Sequence, residues 1–185
     1  MTEQERSELM QIIRELSYEE REVTLASGRK SNFYFDGKQT SLHARGGLLV
    51  GKAFWEIVKQ FEGPIHGVGG LTMGADPIAT ATSIAAGLEG QEVHAFIIRK
   101  EPKGHGTGQW LEGRKNLPAG SRVVIVEDVT TTGGSSMKAV ERAEQEGLVV
   151  LGIITLVDRQ EGAQDNIENQ GQNLKAVFTR EQVVG

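Results

Sequence analysis

The apolar positions of this chain follow two rhythms, one helical and one continuous. Leu9, Ile12, Ile13 and Leu16 share a face when residues 2–16 are wound as a helix, and Thr2 with Glu5 offers a capping box at its start. Two extended pieces follow, at 22–25 and 32–36, joined by the turn-like string SGRKS. Leu49, Phe54, Ile57, Val58 and Phe61 line one side of a second helix over 43–61, although Gly46, Gly47 and Gly51 weaken its first turns. From residue 65 the pattern settles into strand, loop and helix. Strands at 65–69, 93–99, 122–126, 149–157 and 174–178 are interspersed with helices at 78–86 and 134–147. Runs such as VVIV and LGIITLV are apolar without a break, as strands are when helices cover both faces of a parallel sheet. The pattern predicts a single α/β domain. Residues 43–185 form a Rossmann-like, doubly wound parallel sheet, and residues 1–42 form a small N-terminal add-on, or hood.

Composition narrows the function classes. At 185 residues the chain suits one domain with a proper core. No apolar run approaches the roughly 20 residues of a membrane-spanning helix, so no membrane partner is expected. The opening MTEQERSE is polar and acidic where a signal peptide would be basic and then apolar, and there is no cysteine; a cytoplasmic location is the expectation. A net charge of −5 matches nucleic acid poorly. Against that background Arg99, Lys100, Lys103, His105, Arg114 and Lys115 make a local basic island, with Pro102 and Gly104, Gly106, Gly108 and Gly113 mixed into it. A solvated loop is the bland reading. The glycines favour a mobile basic flap over 100–114.

The sharpest chemical signal is VVIVEDVTTTGGSS at 123–136. A buried strand delivers two adjacent acids, Glu127 and Asp128, to the carboxyl edge of the sheet, where open α/β sheets bind ligands. Thr131, Thr132, Gly133, Gly134 and Ser135 then turn the chain into a helix, offering hydroxyls and backbone N–H groups to a phosphate. Carboxylates just before such a cradle suit the hydroxyls of an attached sugar. The loop lacks the GK[ST] ending of a P-loop and the GxGxxG of a dinucleotide site. A plain helix cap at Thr132 or Ser135 leaves the paired acids unexplained.

This segment resembles the phosphoribosyl pyrophosphate signature of the type I phosphoribosyltransferases. LASGRKSNFYFD (25–36), GLTMGADPIA (70–79) and RKEPKGHGTGQWLEG (99–113) are similar to the orotate branch of that family. The resemblance implies transfer of the phosphoribosyl group to orotate, with Mg2+ bound alongside the substrate and a homodimer whose flap is shared between subunits. It implies that Glu127 and Asp128 hold the ribose hydroxyls and that Val129, Thr130, Thr131, Thr132, Gly133, Gly134 and Ser135 receive the 5-phosphate. Arg99, Lys100, Lys103 and His105 match pyrophosphate-contacting positions, Thr72 and Met73 a loop near pyrophosphate. Tyr34, Phe35, Thr131 and Arg159 match positions around the base, with Lys103 and Asp128 as the catalytic pair. An arginine fork suits the carboxylate that orotate has and uracil lacks.

One position departs from the pattern. Many members carry lysine where this chain has Ala26, so a contact is lost or is supplied by Arg29, Lys30 or Lys38. Tyr34 and Phe35 alternate along a strand, so one of them is expected in the core. His43, His66 and His94 have no metal-ligand spacing and read as structural, whereas His105 between glycines reads as a ligand group. Trp110 is placed to pin the flap's hinge. Two alternatives stay open: the same chemistry on another base, and a regulator that senses phosphoribosyl pyrophosphate without catalysis.

Overall fold

The structure is a computed structural model that describes residues 1–24, 30–102 and 109–185. Helix α1 (Glu3–Ile12) begins at the expected Thr2–Glu5 capping box, then widens into a π-type turn over Ile13–Ser17. That widening breaks the helical period, so Leu9 and Ile13 are buried while Leu16 is left exposed, contrary to its expected place on the apolar face. Strands β1 (Tyr18–Thr24) and β2 (Lys30–Phe35) form a two-stranded antiparallel hood, β1 starting four residues earlier than its apolar signal. A short helix α2 (Gly37–Ser41) leads into α3 (Ala44–Val58). Phe61 lies beyond α3 and packs on the core from the following loop.

The glycines that weaken α3 on paper have a packing reason. A Cβ at Gly46 would lie 2.3 Å from the Thr40 carbonyl oxygen, and one at Gly51 would lie 2.5 Å from that of Ala81. Bare backbone lets α3 press against α2 and against α4 (Ala75–Leu88) more closely than any side chain permits.

The rest is β3 (Gly67–Leu71), α4, β4 (His94–Ile98), β5 (Leu111–Glu112), β6 (Arg122–Thr130), α5 (Gly134–Gln145), β7 (Val149–Asp158), α6 (Ala163–Glu168), β8 (Leu174–Thr179) and α7 (Arg180–Val184); the alternation is the expected one, with β5, inside the segment read as flap, and α6 and α7 added to it. The sheet order is β5-β4-β3-β6-β7-β8, parallel except for β5, which runs antiparallel to β4. One buried cluster joins α1, α3 and α4 to Val68, Val124 and Val126; the other joins α5 and α6 to Phe96, Val123 and Ile125. Helices α2, α6 and α7 are five or six residues long, too short to show a helical period in sequence. β6 also outruns its apolar stretch, because Glu127 and Val129 keep pairing with Thr155 and Val157 of β7. The two acids therefore lie within the strand and not beyond its end.

Gly51→Ala tests the α3–α4 crossing. Alanine gains about 1 kcal/mol of helix propensity, yet the collision with the Ala81 carbonyl should outweigh it, for a net loss of roughly 1–2 kcal/mol. Urea denaturation reads the change; an unchanged or raised midpoint would refute the close crossing.

Candidate active site

The chain leaves β3 for β4 on one side and returns to β6 on the other, so a crevice opens between the carboxyl ends of β3 and β6. On the β3 side Thr72 and Met73 form the rim. The Thr72 N–H donates to the Ile98 carbonyl (2.9 Å), its hydroxyl donates to Asp76 Oδ2 (2.7 Å), and Met73 is exposed. The peptide between Thr72 and Met73 is cis.

On the β6 side, alternation along the strand decides where each acid goes. Val123 and Ile125 belong to the α5 face and Val124 and Val126 to the α3–α4 face. Glu127 accordingly turns toward α5, where its Oε2 accepts hydrogen bonds from the hydroxyls of Ser135 (3.1 Å) and Ser136 (3.4 Å). Asp128 turns the other way, into a slot between hood and core walled by glycine. A Cβ at Gly37 would lie 2.8 Å from Asp128 Cβ, and one at Gly74 would lie 2.4 Å from Asp128 Oδ1. Its neighbours include the Val129 N–H, which donates to Oδ1 at 3.0 Å, Lys38 Nζ, 3.9 Å from Oδ2, and the Glu127 carboxyl, with which it shares a side-chain hydrogen bond. Burial and the adjacent Asp128 push the Glu127 carboxyl up to about 8. Burial also raises Asp128, opposed by Lys38 and by the Val129 N–H.

The chain beyond the acids forms a cup. Val129 is half-buried, and Thr130 is buried with its hydroxyl 3.5 Å from Asp158 Oδ1. Thr131 is half-buried and Thr132 exposed, the latter's carbonyl accepting from Asn166 Nδ2 at 2.7 Å. Gly133 has φ +79°, and a Cβ there would meet the Ile167 side chain at 2.8 Å, so both conformation and space demand glycine. Gly134 then opens α5, whose first turn receives no side-chain cap, and Ser135 is exposed. Uncapped N–H groups at a helix start, following a run of threonines, make a site for an anion.

The hood supplies the third wall. Phe33 and Phe35 point inward and stack, centroids 6.0 Å apart, whereas Tyr34 faces the other side under the Arg21 guanidinium at 3.9 Å. Of the two candidate aromatics, Phe35 is the core residue, and its ring lies beside the Asp128 slot. Arg159 follows β7, is buried, and donates through Nη2 to the Phe33 carbonyl (3.1 Å) while pairing with Glu161 at 3.1 Å. Its backbone N–H bonds the Thr130 carbonyl at 2.9 Å, tying it to the base of the cup. Phe33, Glu161, Gly37 and Gly74 were missed by sequence reasoning. Phe33 could have been found from its period-two relation to Phe35; the others carry no local signal.

Arg99 follows β4, one residue past the Ile98 carbonyl that holds the Thr72 rim; its Nη1 pairs with Glu112 at 3.0 Å and its N–H bonds the Trp110 carbonyl at 2.9 Å. Trp110 lies under Arg142 of α5 at 3.8 Å, which fixes the end of the flap segment to the core. Lys100 is exposed, while Lys103, His105, Ala26 and Arg29 lie outside the described residues. Of the other groups named to compensate for Ala26, Lys30 pairs with Glu22 at 2.7 Å and Lys38 stands at the slot. His43 Nδ1 caps α3 by accepting from Gly46 N–H (3.2 Å), and His66 Nδ1 accepts from Arg122 N–H (2.8 Å), both structural.

Comparison with known proteins decides the family. Residues 38–177 match the phosphoribosyl transferase domain. A curated orotate phosphoribosyltransferase of Nostoc sp. is 44% identical over 174 residues, covering 94% of this chain and 82% of that protein. The chain belongs to the orotate phosphoribosyltransferase family. Another member, from Aquifex aeolicus, is 42% identical over 94% of both chains. Among solved structures, the Mycobacterium tuberculosis orotate phosphoribosyltransferase in complex with 5-phospho-α-D-ribosyl 1-diphosphate superposes with a TM-score of 0.81 at 36% identity. That match covers 98% of this chain and 99% of the other. As an orotate phosphoribosyltransferase family enzyme, the chain carries its signature segment along β6 and the cup that follows it. Among the described residues no helix is long and apolar enough to cross a membrane.

The raised Glu127 carboxyl has a consequence for stability. The native state favours the protonated acid, while the unfolded chain ionises near the ordinary glutamate value of 4.5. Stability from this group is therefore full below pH 4.5 and is lost as pH rises to about 8. Glu127→Gln, which cannot ionise, should raise stability by roughly 2 kcal/mol at the upper end of that window and change it little at the lower end. Thermal melts across the window test the sign; a variant equally destabilised throughout would show that Glu127 is buried as its anion.

Proposed function

We propose that this chain transfers the 5-phosphoribosyl group of phosphoribosyl pyrophosphate to orotate, giving orotidine 5′-monophosphate and pyrophosphate, as a step of pyrimidine nucleotide synthesis in the cytoplasm. The observation that carries this reading is the run of β6 from two buried acids directly into an uncapped, threonine-lined cup. The 5-phosphate sits in the cup, from Val129 to Ser135, on N–H groups and hydroxyls. The ribose hydroxyls meet Glu127 and Asp128, and the orotate ring lies under the hood beside Tyr34, Phe35 being the core residue of the two. Arg159, its plane held by Glu161 and the Phe33 carbonyl, presents its fork to the orotate carboxylate, with Thr131 nearby. Thr72, Met73 and the flap residues Arg99, Lys100, Lys103 and His105 take the pyrophosphate.

The reaction is a displacement at the anomeric carbon through an oxocarbenium-like transition state. Positive charge growing on the sugar is stabilised by the anionic Asp128 in its water-poor slot. Negative charge growing on pyrophosphate is met by Lys103 and its basic neighbours. Among the described residues no group of three or more His, Cys, Asp or Glu side chains is placed to hold a metal ion. Mg2+ bound with phosphoribosyl pyrophosphate would mask the charge of the leaving group. Loss of orotate ultraviolet absorbance should require both phosphoribosyl pyrophosphate and Mg2+. Turnover of uracil or a purine in place of orotate would contradict the assignment.

The active form of this reading is a homodimer with the flap reaching the neighbouring subunit. An apolar cleft of about 900 Å³ between α3 and α4 supports it: Leu42, Leu48, Ile84 and Leu88 stand exposed there, a surface that a second copy would cover. If Lys103 acts across the interface and Asp128 within its own subunit, Lys103→Ala and Asp128→Asn should each be nearly inactive alone. Exchange of an equal mixture gives about half heterodimers, each with one intact site, so roughly a quarter of wild-type activity should return. Activity that stays at the parental level after confirmed exchange would place flap and acid in the same chain.

A further inference from the structure

Asp128 occupies an inhospitable place for a charge: it is buried, one residue from a second buried acid, with glycine backbone on both sides. A carboxyl so placed neutralises unless a cation stands close. Lys38 stands there, its Nζ 3.9 Å from Asp128 Oδ2 and 2.6 Å from Asp36 Oδ1. Its hydrogen bond to Asp36 holds the ammonium above its ordinary value, so Lys38 carries its charge.

The groups that face Asp128 come from each element around the slot. Asp36 and Tyr34 stand on the hood side, next to Lys38; Glu127 precedes it on β6; Asp76 lies just past Gly74 at the start of α4, its Oδ2 taken by the Thr72 hydroxyl. Arg159, at the end of β7, is engaged with Glu161 and the Phe33 carbonyl. Among the described residues Lys38 is the cation whose charge acts on Asp128.

Three consecutive residues build this arrangement. Asp36 caps α2, its Oδ1 accepting from the Lys38 N–H at 3.2 Å and its Oδ2 from Gln39 Nε2 at 3.2 Å. Gly37 lets the turn lie directly on Asp128. Lys38 is thereby delivered with its ammonium between two carboxylates.

We infer that Lys38 is a positioning residue for the proposed transfer: it keeps Asp128 anionic and oriented at neutral pH, and Asp36 sets the strength of that effect by competing for the same ammonium. The inference rests on the reading of Asp128 as the acid beneath the ribose.

The chain has five aspartates, Asp36, Asp76, Asp128, Asp158 and Asp165, so carboxyl-13C aspartate labelling yields a spectrum that single substitutions assign. In Lys38→Met the Asp128 signal should titrate at higher pH than in the wild type. The acid limb of kcat/KM for phosphoribosyl pyrophosphate should move upward with it, because the ionised form is lost sooner as pH falls. Lys38→Arg should restore both. Asp36→Asn, which still caps α2, should move the Asp128 titration the opposite way by freeing Lys38. The remaining aspartate signals and a thermal melt report whether each variant is folded. An Asp128 titration unchanged in folded Lys38→Met overturns the inference, as does an activity loss uniform across pH, which would make Lys38 a direct substrate ligand. Failure of the wild type to turn over orotate would overturn the proposed reaction instead, and the carboxyl titrations would still read the Lys38–Asp128 coupling.

Discussion

The architecture of this site depends on how closely bare backbone approaches one buried carboxylate. Gly37 brings the hood against Asp128 from one side and Gly74 brings the β3 loop against it from the other, each within a distance no Cβ tolerates. Because both walls are main chain, a side chain added at Gly74 would have to displace the carboxylate itself. Because the walls come from different parts of the chain, docking the hood and completing the crevice are one event. The same economy recurs at Gly133, which lets the cup close onto Ile167, and at Gly51, which sets the distance between α3 and α4. Glycine here costs conformational entropy and returns proximity.

Electrostatics then follows from strand geometry. Two consecutive acids on a strand start toward opposite faces, yet at the end of β6 their carboxyls still meet through a side-chain hydrogen bond. Glu127 meets serine hydroxyls and the α5 face, where burial favours its proton. Asp128 meets a lysine and a backbone N–H, which work against burial. Burial raises both acids, and the groups that oppose the rise differ: serine hydroxyls at Glu127, Lys38 and the Val129 N–H at Asp128.

Much of this was legible in the sequence because it is local. The unbroken apolar runs of β6 and β7, the acids after VVIV and the glycine-threonine string each carry their meaning within a dozen residues. What was not legible is long-range or short in extent. The π-type turn that expels Leu16 follows no apolar period, and α2, α6 and α7 are too short to have one. β6 continues past its apolar stretch because β7 offers partners, which one strand's sequence cannot announce. Gly37 and Gly74 look like ordinary turn residues until the fold brings Asp128 between them. Lys38 stood among several basic residues near the hood, and the fold shows its ammonium 3.9 Å from Asp128.

The central claim is that this glycine-walled slot holds the carboxylate on which the ribose rests. Gly74→Ala addresses it with little damage to the fold, since the atoms a new Cβ would strike are the ends of the Asp128 side chain and not backbone. Calorimetric titration of the magnesium complex of phosphoribosyl pyrophosphate into wild type and variant measures the consequence directly. Displacing the carboxylate should weaken binding by roughly tenfold or more, equivalent to the ~1.4 kcal/mol of a single charged contact, while the melting transition stays close to that of the wild type. Equal affinities in a folded variant whose Asp128 has been moved would contradict the account.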